Sequence, residues 1–75
     1  MEELILYIAR QLVDHPESVQ VRQAQGRKGI VYRLSVSPKD KGKIIGKDGR
    51  IIAAIREIVD AAAARQRREV TLEVV

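Results

Sequence analysis

Two glycines three residues apart, Gly46 and Gly49, interrupt what would otherwise be a long helical pattern. Upstream, Ser37-Pro38-Lys39-Asp40 carries the signals of a helix start: Ser37 as N-cap, Pro38 at the first helical position, Asp40 at the capping-box position. Downstream, Ile51, Ile52, Ile55, Ile58, Val59 and Ala62 form an apolar stripe at helical spacing. A glycine inside a helix costs about 1 kcal/mol relative to alanine, so two this close predict a break. The segment reads as a short helix, a tight glycine turn and a long helix, with peptide N–H groups unobstructed at the turn.

Leu4, Ile5, Ile8, Ala9, Leu12 and Val13 make a first helical stripe, with Glu2 and Glu3 at its start and Tyr7 packing beside it. Asp14-His15-Pro16 ends that helix, and His15 reads as part of the stop signal. Val19 and Val21 alternate with polar residues as a short strand. Gly26-Arg27-Lys28-Gly29 turns the chain into a second strand, in which Ile30, Tyr32, Leu34 and Val36 alternate with their neighbours. Arg65-Gln66-Arg67-Arg68 closes the long helix, and Val70, Leu72 and Val74 form a third strand. The order α-β-β-α-α-β predicts one α+β domain over residues 1–75. The helical crossover makes the last two strands parallel, the hairpin places the first strand antiparallel at the other edge, and three helices cover one face of the three-stranded mixed sheet.

A chain of 75 residues exposes so much surface that only about 60% of its unfolded area is buried, so the core must be efficient. Without Cys, Phe or Trp that core is aliphatic. The absence of cysteine excludes disulfides and Cys-based zinc, and a single histidine excludes a His-paired metal centre. No carboxylate pair or nucleophile–base constellation is present, and no cofactor motif: Gly42 to Gly46-Lys47 is one residue short of a P-loop, with Asp48 where Ser or Thr would meet magnesium. The expectation is a non-catalytic protein. The apolar runs are too short for a membrane span, and Met1-Glu2-Glu3 is unlike the basic start of a signal peptide, so the expected location is the cytoplasm.

The net charge of +4 is unevenly spread. Residues 1–24 carry two basic and four acidic side chains; residues 25–50 carry eight basic against Asp40 and Asp48; the remainder balances. The central third attracts a polyanion, and the glycine turn lies inside it. Lys43, Lys47 and Arg50 surround that turn, and the following helix presents its positive end there. Two glycines three apart arise by chance in roughly a third of chains this long, and Gly26-Arg27-Lys28-Gly29 is a second copy, at a hairpin tip. Only Gly46–Gly49 has Ile44-Ile45 before it and isoleucines at helical spacing behind it.

Ile45-Gly46-Lys47-Asp48-Gly49-Arg50-Ile51-Ile52, continuing to Ile55, resembles the signature of KH domains, an Ile-Gly pair opening a GxxG loop before an apolar helix. The element order is similar to the type II, bacterial form of that fold. The length and the Ala-rich last helix resemble the small stand-alone bacterial KH proteins of the KhpA family. The resemblance covers the whole chain and implies an RNA-binding protein that associates with itself, with a larger KhpB-like RNA-binding partner, or with both. It implies a role in post-transcriptional regulation or as an RNA chaperone. By the same resemblance Gly46, Lys47, Asp48 and Gly49 form the loop that clamps the backbone of single-stranded RNA. Lys43 lies beside that loop, Ile45 lines the adjoining groove, and Arg50, Ala53 and Ala54 form its helix wall. The strand from Thr71 to Val74 forms the opposite wall, while Arg65, Arg67 and Arg68 fall in the family's variable loop.

Asp48 puts a negative charge on the proposed phosphate track, and its side chain can instead cap the last helix. Two other readings stay open. A glycine turn between two helices also serves helix-hairpin-helix DNA binders, although three strands argue against that fold. Ala61-Ala62-Ala63-Ala64 suits a protein–protein contact, although helix propensity alone accounts for the alanines. The scarcity of aromatics removes the stacking platforms that RRM and OB-type binders use.

Overall fold

A computed structural model describes residues 1–75. Helix α1 (Glu2–Leu12) is followed by a 3-10 turn at Pro16–Ser18 and by strands β1 (Gln20–Gln25) and β2 (Ile30–Ser35). Helix α2 (Lys41–Ile45), a 3-10 turn at Lys47–Gly49, helix α3 (Arg50–Arg65) and strand β3 (Val70–Val74) complete the chain. The sheet order is β1-β2-β3. β1 pairs antiparallel with β2 from Gln20↔Ser35 to Gln25↔Ile30, and β2 pairs parallel with β3 from Ile30↔Val70 to Leu34↔Val74. This is the mixed sheet expected from one hairpin and one helical crossover.

One face of the sheet carries the core. Tyr32, Leu34 and Leu72 point inward against Ile5 and Ala9 of α1, Ile44 of α2, and Ile52, Ile55 and Val59 of α3, and all belong to a single buried cluster. Alternation sends Arg33 and Glu73 to the other face, where they pair at 3.3 Å across the parallel strands. Both are about half exposed, so the pair contributes at most about 1 kcal/mol. No helix is long and apolar enough to cross a membrane.

Four local expectations are corrected. Tyr7 is 65% exposed and does not pack; at about 100° per residue it stands some 200° around the axis from Ile5. Ile58 is 48% exposed, and Ala63 rather than Ala62 is the buried alanine, because the inward line through Ile52, Ile55 and Val59 continues to position 63. Ser37 is not an N-cap: Ser37–Asp40 forms a turn, with the Asp40 N–H donating to Ser37 O at 2.8 Å, and α2 begins only at Lys41. The side chain of Asp48 makes no capping bond; Gly49 precedes α3 with a left-handed backbone.

Asp40 has a different task from a capping box. Its side chain is fully buried, and one oxygen accepts from both the N–H and the ring Nδ1 of His15, each at 2.9 Å. An ionised carboxylate can only accept, so the imidazole carries a proton on Nδ1. The other oxygen has the Lys43 ammonium 3.6 Å away, and Lys43 also pairs with Asp14. The end of α1 is thereby tied to the start of α2, and His15 is a structural partner as well as a helix stop.

Burial alone would raise the Asp40 pKa, but the bonds from the His15 ring, the peptide N–H groups of His15 and Asp14, and attraction to the imidazole hold it below the ordinary value. A carboxyl depressed in the folded state stabilises above its unfolded pKa and ceases to do so as pH falls through the folded one. Stability is therefore expected to start falling below about pH 4 and to keep falling until Asp40 is protonated. Asp40→Asn should lower Tm at neutral pH and flatten this acid limb. Thermal melts of both proteins across the acid range check it; parallel curves would show that Asp40 is not linked to folding.

Candidate nucleic-acid interface

The break between α2 and α3 is built by backbone conformations that few residues adopt. Gly46 ends α2 at φ 75°, ψ 174°, with its N–H donating to Gly42 O at 2.8 Å. That region is essentially restricted to glycine. Space demands glycine too, since a Cβ at Gly46 would lie 2.5–2.9 Å from three side-chain atoms of Ile51. Asp48 (φ 57°, ψ 24°) and Gly49 (φ 73°, ψ 17°) are then both left-handed. Aspartate tolerates this better than most residues, which gives Asp48 a conformational role in place of the expected cap. At Gly49 only the backbone angle matters, for a Cβ there would meet nothing nearer than Ile52 Cγ2 at 4.0 Å.

Within the turn the Gly49 N–H donates to Gly46 O (3.1 Å) and the Arg50 N–H to Lys47 O. The peptide N–H groups of Lys47 and Asp48 are not used by these two bonds. Lys47 and Arg50 are exposed and make no ion pair, so two free cations flank the turn. Asp48 is exposed as well and subtracts one charge. Lys43 differs: the bond it donates to Asp14, with Asp40 behind it, holds its ammonium above the usual lysine range and commits it to that cluster. Ile45 is half-buried against the core directly before the turn.

The second G-x-x-G is a hairpin tip. The Gly26 N–H donates to Gly29 O at 2.7 Å, and a Cβ at Gly29 would fall 2.1 Å from Glu69 O. Its tip is therefore seated against the α3–β3 connection, as an ordinary tight turn packed on its neighbour.

Beyond the Gly46–Gly49 turn, α3 packs against β3, the open edge of the sheet. Gly49, Ala53, Arg56 and Asp60 are spaced to share one face of α3. Arg56, which the sequence pattern did not single out, donates from Nε to Leu72 O at 3.3 Å and so ties this face of α3 to the open edge of β3. The signal was its i+3 spacing from Ala53. Arg67 and Arg68 are not beside the glycine turn. The 16 residues of α3 put roughly 24 Å between them. Arg67 turns the chain at φ 55°, and the Arg68 N–H returns to Ala63 O at 3.0 Å. Arg68 instead shares a cleft of about 620 Å³ with Arg27 and Lys28 of the hairpin tip, where Asp60, Glu69 and Glu73 offset the charge. The expected site residues thus form two groups, one at each end of α3.

A family model described as KhpA/KhpB, KH domain, matches residues 2–74. The chain is 48% identical over 75 residues to the RNA-binding protein KhpA of Clostridium perfringens, covering all of both chains. It is 45% identical, again over the full length of both, to the RNA-binding protein KhpA of Caldanaerobacter subterraneus subsp. tengcongensis. It is 47% identical over 74 residues to that of Chlamydia pneumoniae, covering 99% of this chain and 95% of the relative. No solved structure matches the chain.

Proposed function

Because the chain belongs to the KhpA/KhpB KH-domain family, we propose that it is a non-catalytic RNA-binding protein that clamps single-stranded RNA at the Gly46–Gly49 turn. The observation that carries this reading is the pair of consecutive left-handed residues, Asp48 and Gly49, between two helices. They leave peptide N–H groups free beside the unpaired Lys47 and Arg50, a combination suited to a phosphate. Unstacked bases enter the groove beyond, where Ile45 and Ala53 leave room, and residues 1–75 act as one domain. Arg67 and Arg68 meet the RNA only at the far end. A helix-hairpin-helix DNA binder is not favoured, because the glycine turn here is backed by a sheet edge.

Unstructured RNA should bind better than a duplex of the same length, with micromolar affinity, since one such domain grips about four nucleotides. Fluorescence anisotropy with matched single- and double-stranded probes tests it. A preference for duplex would overturn the groove reading.

The partners of this reading are RNA, a second copy of the chain, and a KhpB-like RNA-binding protein; the setting is cytoplasmic post-transcriptional regulation or RNA chaperoning. Helical spacing puts Ala54, expected on the wall with Ala53, beside exposed Ile58 and Ala61 instead, which supports a helix-to-helix contact on the face of α3 away from Arg56. Ile58→Asp is expected to convert a micromolar dimer to monomer while RNA still binds. Sedimentation equilibrium reads the outcome; a wild-type protein monomeric throughout that range would remove the homodimer and leave RNA binding standing.

A further inference from the structure

Strand β3 has one neighbour, so half of its peptide groups face outward. Its bonds to β2 include Ile30 N–H to Glu69 O at 3.1 Å and Val75 N–H to Leu34 O at 3.0 Å. In a parallel ladder a strand uses every second residue towards a given neighbour. Glu69, Thr71, Glu73 and Val75 therefore face β2, while Val70, Leu72 and Val74 turn N–H and C=O to the open edge. The Leu72 carbonyl sits midway along this edge and is the one that Arg56 covers, through Nε at 3.3 Å.

An open strand edge presents a base with an acceptor at each outward carbonyl, which suits the amino groups of adenine or cytosine. Arg56 changes that chemistry. Its guanidinium has five N–H donors and no acceptor; one is spent on Leu72, and its terminal nitrogens make no other hydrogen bond or ion pair. Asp60, one turn further along the same face, does not pair with it. We propose that Arg56 sets the base preference of the groove, by replacing an acceptor with a rigid fork of donors. This rests on the RNA-binding reading above.

Such a fork is satisfied by two adjacent acceptors. Guanine offers O6 and N7, and cytosine offers O2 and N3. Adenine and uracil alternate donors with acceptors along their edges, so either leaves one arm of the fork without a partner. The bond to Leu72 uses only Nε, so the two terminal nitrogens of this exposed side chain can meet a base while the carbonyl stays covered. Capping of a strand edge would explain the contact alone, but it would not make binding depend on base identity.

The test is fluorescence anisotropy of the full chain with single-stranded octamers of cytosine, of adenine and of uracil, using wild type, Arg56→Leu and Arg56→Lys. Circular dichroism melts confirm that each variant folds. Wild type should favour the cytosine octamer by about fivefold or more over the other two, the range of one good bidentate contact. Arg56→Leu should lose that preference and keep or improve its grip on adenine, because the Leu72 carbonyl becomes available. Arg56→Lys retains the charge without the fork, and should lose the preference too. A wild type that binds all three octamers equally, or a lysine variant that keeps the cytosine preference, overturns the assignment with RNA binding intact. Failure of the wild type to bind any octamer overturns the RNA-binding reading itself, and this assignment with it.

Discussion

Lys47→Asp is expected to weaken RNA binding at least tenfold, about 1.4 kcal/mol, with the melting temperature almost unchanged. Lys47 is exposed, makes no ion pair, and sits in the turn whose free N–H groups face the proposed phosphate. The substitution places two acidic residues between Gly46 and Gly49 while removing no packing. Lys28→Asp makes the same charge change at the hairpin tip, roughly a helix length away, where acidic residues already offset the basic ones. It should cost much less. Asp48→Asn should act in the opposite sense from Lys47→Asp, tightening binding and steepening its salt dependence. Asparagine also tolerates a left-handed backbone, so stability should hold. Asp48→Lys would add more charge, but at a cost of roughly 1 kcal/mol from backbone strain. Measuring affinity and Tm for this set in one buffer separates a built site from a basic surface. Equal losses from Lys28→Asp and Lys47→Asp would mean that the turn is not the site.

Gly46→Ala should damage the fold far more than Gly49→Ala. A non-glycine residue at φ 75°, ψ 174° costs about 1–3 kcal/mol. The new Cβ would also be driven to within 2.9 Å of Ile51, and overpacking of this kind adds a further 1–3 kcal/mol or so. The sum is a large share of the roughly 5–15 kcal/mol that stabilises an ordinary domain. Gly49→Ala is the control, because its left-handed angle is strained but its surroundings are open; about 1–2 kcal/mol is expected there. Urea denaturation of the two variants decides. Equal losses would show that Ile51 yields without cost, and that the turn is shaped by backbone preference alone. Ile51→Ala in the Gly46→Ala background should recover part of the loss if the clash is real.

The two glycine motifs show how far a linear reading reaches. Gly46–Gly49 and Gly26–Gly29 are identical as patterns, and the residues around them separated a turn between helices from a hairpin tip. The structure bears out that separation. Which glycine is crowded was not legible, because the Ile51 side chain is brought back against Gly46 only by the left-handed turn at Asp48 and Gly49.

Charge was the less reliable guide. Lys43, Lys47 and Arg50 look equivalent along the chain, yet Lys43 is held by Asp14, 29 residues earlier, and by Asp40. Asp40 looked like a capping residue because Ser37 stands three positions before it; its partner is His15, 25 residues away. Arg56 carried no local signal that it would meet Leu72.

The division follows from range. Helical stripes, strand alternation, a proline stop and paired glycines act through residues within about four positions of one another, so the order of elements, the mixed sheet and the turn between α2 and α3 were determined by the sequence alone. The partners of buried and groove-lining polar groups depend on which elements the folded core brings together. Asp40, Lys43, Arg56 and the separation of Arg67 and Arg68 from the glycine turn were therefore decided only by the tertiary structure.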